Sequence, residues 1–158
     1  MDEFRLRKAV ESDLQEIIRL WKQNIKTINT ALDIADFFHQ SQNYFFVAVP
    51  TSAKSASTGE KLRGFVGGAI RGGHGHISGI AVDTEYRNGK VGEKLIKTLE
   101  HEFRTDAFET VTLEVRRSNR DAIRFYEQQG YQPSHIVKGY YADGDDALVY
   151  AKKIDRRR

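Results

Sequence analysis

The sequence feature that most constrains the fold lies between residues 77 and 103, where a strand pattern, a glycine-containing turn and a helix pattern follow one another. The strand pattern consists of the apolar residues Ile77, Ile80, Ala81 and Val82. The helix pattern consists of Val91, Leu95, Leu99 and Phe103 at four-residue intervals. Backbone N–H groups at the start of a helix have no internal partner, and the helix dipole favours negative charge there. With Arg87 and Lys90 beside the turn, the sequence predicts a phosphate-binding site.

Composition restricts the class of protein. A chain of 158 residues is long enough for one domain with its own core, which we predict over residues 1–154, followed by a basic tail at 155–158. The sequence has no cysteine, which excludes thiolate catalysis and cysteine-ligated zinc and fits a reducing cytoplasm. The net charge is +3, and the three terminal arginines account for all of it. The rest of the chain is electrically balanced, which argues against a nucleic-acid partner.

Hydropathy predicts a soluble, cytoplasmic protein with no membrane partner. No apolar run approaches the roughly 18 residues needed to span a bilayer, and no charged-then-apolar leader opens the sequence.

Hydrophobic periodicity alternates between strand and helix along the chain, which predicts an α/β fold with helices on both faces of a mixed sheet. Strands are predicted at residues 4–7, 44–49, 62–70, 76–82 and 111–115, near Tyr131 and Ile136, and at 147–154. Helices are predicted after Ser12, around 31–39, from 91 onward, and from Ser118 or Asn119 to Gly130. Ser12 and Gln15 have the spacing of a capping box, and residues 51–60 have the composition of a mobile loop. The Gly67–Gly68 pair predicts a bulge or a close backbone approach.

Three blocks of the sequence, in order, resemble the GCN5-related N-acetyltransferases (GNAT), and most closely the RimI-like ribosomal-protein N-terminal acetyltransferases. The blocks are residues 80–92, 113–131 and 140–148. The resemblance implies the GNAT fold, in which a mixed, mostly antiparallel central sheet has splayed middle strands. It also implies acetyl-CoA as cosubstrate and an amine as acceptor, with no metal.

The resemblance to the family's pyrophosphate loop implies a set of cofactor-binding residues. They are Ile80, Ala81, Val82, Arg87, Asn88, Gly89, Lys90, Val91 and Gly92, together with Asn119, which is also a candidate helix cap. The family has a glycine where this chain has Lys90, because glycine lets the backbone approach the pyrophosphate with a positive φ. We expect the Asn88–Gly89 pair to supply an alternative tight turn, and the Lys90 side chain to add a positive charge.

The resemblance assigns catalytic roles to two residues. Glu114 matches the general base of RimI-like enzymes, and Tyr126 matches the acid that protonates the departing thiolate. A phenol with a reference pKa of about 10 can donate a proton to a thiolate whose reference value is about 8.5. From the residues alone, Tyr126 also fits a core aromatic, and Glu114 fits a solvent-facing or an ion-paired carboxylate, with Arg116 as a candidate partner.

The acceptor is predicted to be a protein or peptide N-terminal α-amine. The acetyl group is predicted to pass to it directly, in a ternary complex. A carboxylate is a weak base, which suits an α-amine with a pKa of about 7.7–8 better than a lysine at about 10.4. The resemblance places Tyr140 and Tyr141 beside the acceptor, although a Tyr pair is also ordinary in a half-buried strand.

Two other functions remain open at the level of sequence, namely acetylation of a small amine (a polyamine, an aminoglycoside or an amino acid) and a non-catalytic acetyl-CoA sensor. His74 and His76 point the same way on a strand, but no third ligand lies nearby in sequence, so we predict no metal site. His76 is a weaker candidate for the acceptor cleft. The sequence indicates no oligomeric state.

Overall fold

A computed structural model describes residues 3–51, 61–87 and 89–154 of the chain. Its strands are β1 (Phe4–Lys8), β2 (Phe45–Pro50), β3 (Gly64–Arg71), β4 (His74–Val82), β5 (Thr110–Arg116), β6 (Gln132–Val137) and β7 (Ala147–Lys153). Its helices are α1 (Leu14–Asn24), α2 (Ala31–Gln40), α3 (Val91–Thr105) and α4 (Arg120–Gln128). Most of the loop predicted at 51–60, and the tail at 155–158, lie outside the described residues. Across the described ranges, none of the helices has the length and apolar character that a membrane crossing requires.

The strands form one sheet in the order β1-β2-β3-β4-β5-β7-β6. Every neighbouring pair is antiparallel except β4 with β5, so the predicted mixed, mostly antiparallel sheet is confirmed. One core lies under α1 and α2, where Trp21 stacks on Phe65 with ring centroids 5.7 Å apart. The other lies under α3 and α4 and includes Leu95, Leu99 and Tyr126. Helices therefore cover both faces, as predicted.

A bulge in β4 marks the point where the two middle strands separate. Gly67 of β3 pairs with Gly79 of β4, whereas Gly68 pairs with Ile77, which leaves Ser78 without a partner on β3. The parallel pairing of β4 with β5 also ends at Ile77. A bulge bends and twists its strand, so β4 turns away from β5 beyond Ser78 and a cleft opens between them. The predicted bulge and the splayed middle strands are both confirmed.

Glycine at position 67 is required by close packing beside this bulge. A Cβ atom there would lie 2.5 Å from the ring of Phe45, well inside van der Waals contact. The β2–β3 pair can therefore approach this closely only with glycine at position 67.

The capping box predicted for Ser12 is wrong. A short 3₁₀ turn (Glu11–Asp13) precedes α1, and Asp13 occupies the N-cap position of the helix. The Asp13 carboxylate accepts a hydrogen bond from the Val10 N–H at 2.8 Å and pairs with both terminal nitrogens of Arg7. The Asp13 carboxylate thus closes the 3₁₀ turn onto Val10 and makes no side-chain capping bond to α1, and the helical path begins before Ser12.

The helix start that follows β4 has an unusual backbone. Lys90, the N-cap of α3, has φ 69° and ψ 13°, which is the left-handed region that favours glycine. Asn88 lies outside the described residues, so the expected Asn88–Gly89 turn stays a prediction. A Cβ atom at Gly92 would lie 3.2 Å from the Phe125 ring, so glycine there lets α3 pass close to α4.

Replacement of Lys90 by glycine should stabilise the protein. The left-handed conformation costs a non-glycine residue on the order of 1 kcal/mol, and Lys90→Gly removes that cost. We expect the free energy of unfolding in urea to rise by about 1 kcal/mol. The matched control is Lys94→Gly, an exposed position inside α3, which should lower the free energy of unfolding by about 1 kcal/mol. Destabilisation by both substitutions would show that Lys90 is not strained.

Candidate active site

A cleft of about 760 Å³ opens between the diverging halves of β4 and β5. Residues from several elements line it. They come from α1, α2, α4 and the β6–β7 loop, which all approach the point where the two strands separate. Its polar and aromatic side chains include Arg71, His76, Glu114, Tyr126, Tyr140 and Tyr141. The structure therefore brings the two predicted catalytic residues and the predicted tyrosine pair to one place.

Glu114 projects from β5 into this cleft. The neighbouring Leu113 and Val115 are buried in the core, so the alternation of the strand turns Glu114 to the opposite face. Its Oε1 lies 2.8 Å from His76 Nε2, and its Oε2 lies 3.3 Å from Arg71 Nη1. The alternative of an ion-paired carboxylate is therefore confirmed, but the partners of Glu114 are Arg71 and His76, whereas Arg116 pairs with Asp143.

The surroundings keep Glu114 ionised. Burial alone would raise the pKa of its carboxyl group, but the hydrogen bond and charge of His76, together with the charge of Arg71, outweigh burial and lower the pKa below its usual range. His76 is itself only 2% exposed, and its Nδ1 lies 3.0 Å from Ser78 Oγ. The Nε2–H of His76, directed at the Glu114 carboxylate, holds that carboxylate in place.

The sequence analysis treated His76 only as a weaker candidate for the acceptor cleft, and it did not predict the contact with Glu114. A lone histidine in a strand carries little signal, and its contact with Glu114 depends on the parallel pairing that sets His76 beside Thr112. His74 does not join it in a metal site, since within residues 3–51, 61–87 and 89–154 no three His, Cys, Asp or Glu side chains are grouped to hold an ion.

The position of Tyr126 is compatible with both roles that the sequence left open, and its role as an acid stays a prediction. It is a buried member of the core, with its ring 6.2 Å from that of Tyr131, and it also lines the cleft. Burial, with a smaller contribution from Tyr141, raises the pKa of its phenol above the usual value. The hydroxyl group therefore stays protonated throughout the neutral and mildly basic range.

The residues predicted to bind the cofactor are of two kinds. Some have buried side chains, and others have side chains that lie at the cleft or across the loop. Ala81 and Val91 are buried in the core, so only their main-chain groups can contact a ligand. Asn119 caps α4 by accepting a 3.2 Å hydrogen bond from the Ala122 N–H, and it lines the cleft. Arg87 reaches back across the loop, with Nε 3.3 Å from the Val82 carbonyl oxygen and Nη2 2.5 Å from Asn24 Oδ1.

Tyr140 and Tyr141 lie in the loop between β6 and β7, so the alternative that placed them in a strand is wrong. Their rings meet edge to face with centroids 4.9 Å apart, and both line the cleft. Tyr140 is 48% exposed. Burial, together with the neighbouring Tyr140, raises the pKa of Tyr141 to about 12. The pair therefore presents a neutral aromatic surface to a ligand.

Comparison with known proteins agrees with this geometry. The sequence profile of the acetyltransferase (GNAT) family matches residues 12–131. An uncharacterized N-acetyltransferase of Methanocaldococcus jannaschii is 33% identical over 94% of this chain and 90% of its own length. An N-alpha-acetyltransferase of Saccharolobus solfataricus is 30% identical over 96% of this chain and 94% of its own length.

A solved structure shows the same fold. The crystal structure of the ribosomal-protein-S18-alanine N-acetyltransferase from Escherichia coli superposes with a TM-score of 0.80 at 24% identity, covering 97% of this chain and 95% of that protein. The sequence profile and the two relatives of nearly equal length carry the family assignment, and the shared fold agrees with it. The chain belongs to the GNAT family of acetyltransferases.

Proposed function

We propose that this protein transfers the acetyl group of acetyl-CoA directly to the N-terminal α-amine of a protein or peptide. The observation that carries the proposal is the meeting of a Glu114–His76 pair and the Tyr126 phenol in one cleft. The relative from Saccharolobus solfataricus, which is an N-alpha-acetyltransferase, supports this class of acceptor.

The proposed cofactor site uses main-chain groups that the sheet leaves unpaired. Beyond Ser78, β4 has no partner on the β5 side, so the edge formed by residues 80–82 is available to the pantetheine arm. The Val82 N–H is our candidate donor to the thioester oxygen. The N–H groups of Val91 and Gly92 at the start of α3 suit the pyrophosphate, with the exposed Lys90 adding positive charge. Arg87, Gly89, Asn88 and Asn119 complete the proposed set.

The proposed base favours an α-amine over a lysine side chain. A carboxylate whose pKa is lowered is too weak a base to deprotonate an ammonium group, so it needs an amine of which an appreciable fraction is already neutral. At neutral pH this describes an α-amine with a pKa of about 7.7–8, but not a lysine near 10.4. In our proposal Glu114 accepts the proton as the new C–N bond forms, and the hydrogen bond from His76 holds the carboxylate in place.

Tyr126 is proposed to supply the proton that the departing CoA thiolate requires. Because burial raises its pKa, the phenol is always protonated when the thiolate leaves. Transfer of this proton to the departing sulfur leaves a tyrosinate at Tyr126, which takes a proton back from solvent before the next turnover.

The first prediction concerns the acceptor. We expect thiol release from acetyl-CoA at pH 7.5 to be on the order of 100-fold faster, as kcat/KM, with free N-terminal peptides than with lysine peptides whose N-termini are blocked. Polyamines, aminoglycosides and amino acids form the small-amine panel. A lysine peptide or a small amine that outperforms every N-terminal peptide would overturn the acceptor class. Tight binding of acetyl-CoA by calorimetry without turnover of any acceptor would favour the sensor function.

The second prediction concerns the proposed base. Glu114→Gln keeps the size of the side chain but cannot accept a proton, so kcat should fall about 100-fold while acetyl-CoA affinity is retained. The matched control is Glu102→Gln, a surface carboxylate that contacts Lys8 at 3.1 Å, which should leave kcat unchanged. Full activity of Glu114→Gln across the pH range would exclude Glu114 as the base.

The third prediction concerns Tyr126 and pH. Tyr126→Phe should lower kcat about 100-fold. Because the pKa of this phenol is raised, the wild-type rate should not fall between pH 8 and 10 through loss of the tyrosine proton. Tyr44→Phe, which removes a hydroxyl bonded to Asp106, is the control and should leave kcat unchanged. A decline below pH 10 that disappears in Tyr126→Phe would contradict the raised pKa.

A further inference from the structure

Two loops line the part of the cleft where we propose that the acceptor binds. The first wall, residues 25–30, connects α1 to α2, and the second wall, residues 138–146, connects β6 to β7. Both contribute lining residues, among them Lys26 and Thr27 from the first wall and Tyr140 and Tyr141 from the second. Neither wall is a strand or helix, so the distance between them is not set by backbone pairing.

Arg116, at the end of β5, contacts both walls at once. Its Nη2 donates to the Lys26 carbonyl oxygen at 2.7 Å, and its Nη1 lies 2.9 Å from each carboxylate oxygen of Asp143. The guanidinium also lies over the ring of Tyr141, with Cζ 4.1 Å from the centroid. One side chain thus connects the first wall, the second wall and the strand that carries Glu114.

The chemistry of these contacts requires arginine. The Arg116 side chain is 15% exposed, so its charge is removed from most of the solvent and its hydrogen bonds are not easily replaced by water. A planar guanidinium can donate in two directions within its plane and still stack on an aromatic ring, whereas a lysine ammonium cannot do all three.

Arg116 is also in register with the proposed base. It lies two residues after Glu114, and both project from the same face of β5, opposite to the buried Val115. A shift of Arg116 would therefore move the walls relative to Glu114. Since a misplacement of about 1 Å is enough to slow a positioned reaction strongly, the spacing of the walls matters for an acceptor held between them.

We propose that Arg116 is a positioning residue that fixes the two walls at the separation needed to hold the acceptor N-terminus against Glu114. The inference rests on the proposed function, because it assumes a peptide-like acceptor between the walls. It assigns Arg116 to acceptor binding and to neither the chemical step nor acetyl-CoA binding.

The test is steady-state kinetics of Arg116→Gln with the best N-terminal peptide. We expect the acceptor KM to rise about 10-fold, kcat to change less than about 3-fold, and the acetyl-CoA Kd from calorimetry to stay within about 2-fold. Arg116→Lys should not restore the acceptor KM, because the ammonium cannot contact both walls and stack on Tyr141. A loss in kcat with an unchanged acceptor KM would overturn the proposal.

Two more variants keep the test independent of folding. Asp143→Asn changes a 61% exposed side chain and keeps an oxygen for the Asp145 N–H, but it removes the charge that Arg116 binds. It should raise the acceptor KM in the same direction as Arg116→Gln, and the double variant should be no worse than Arg116→Gln alone. Additive effects in the double variant, or no effect of Asp143→Asn, would contradict the proposal.

Arg117→Gln is the matched control. Arg117 Nη1 binds Asp146 at 3.1 Å, so this substitution loosens the second wall without changing the bridge to the first. The acceptor KM should change less than about 2-fold. An increase equal to that of Arg116→Gln would mean that any loosening of the second wall has the same effect, and it would overturn the bridging role. If the wild-type protein turns over no peptide, it is the proposed function that fails.

Discussion

The site depends on one irregularity in the sheet, the unpaired residue Ser78 in β4. A regular ladder would continue the parallel pairing of β4 with β5 to the ends of both strands, and no cleft would exist. The bulge stops that pairing after Ile77 and leaves the edge of β4 without a partner on the β5 side. The N–H and C=O groups along this edge need hydrogen-bond partners, so a ligand that pairs with the edge as a strand would can bind there.

Because side chains alternate along β5, one face of the strand presents polar side chains to this opening. One face of the strand supplies Leu113 and Val115 to the core under α3 and α4, and the other supplies Glu114 and Arg116 to the cleft. Packing of Leu113 and Val115 in the core holds the strand in place. This packing therefore also fixes the positions of Glu114 and Arg116 on the opposite face. His76 reaches Glu114 because the last paired stretch of β4 lies directly beside β5.

Lys90 takes the left-handed backbone conformation that usually requires glycine, in the loop that we propose binds the pyrophosphate. The chain adopts the left-handed conformation at position 90 without glycine, and the side chain adds a positive charge at an exposed helix start. Conformational strain of about 1 kcal/mol is a cost that a stable fold can carry where the site gains from the charge.

The proposed roles of Glu114 and Tyr126 come from the family resemblance and stay predictions. The sequence by itself determined the order of elements, the mixed sheet with helices on both faces and the bulge at Gly67–Gly68. These follow from periodicity, from turn residues and from local motifs, which depend only on neighbours along the chain. The tertiary structure alone decided the partners of Glu114, the bridge made by Arg116, the left-handed Lys90 and the contacts of Asp13 with Arg7 and Val10. Most of these are set by contacts between residues distant in sequence, such as 38 positions for His76 with Glu114 and 90 for Arg116 with Lys26. No local pattern reports such contacts, because they arise only when the sheet places its strands side by side.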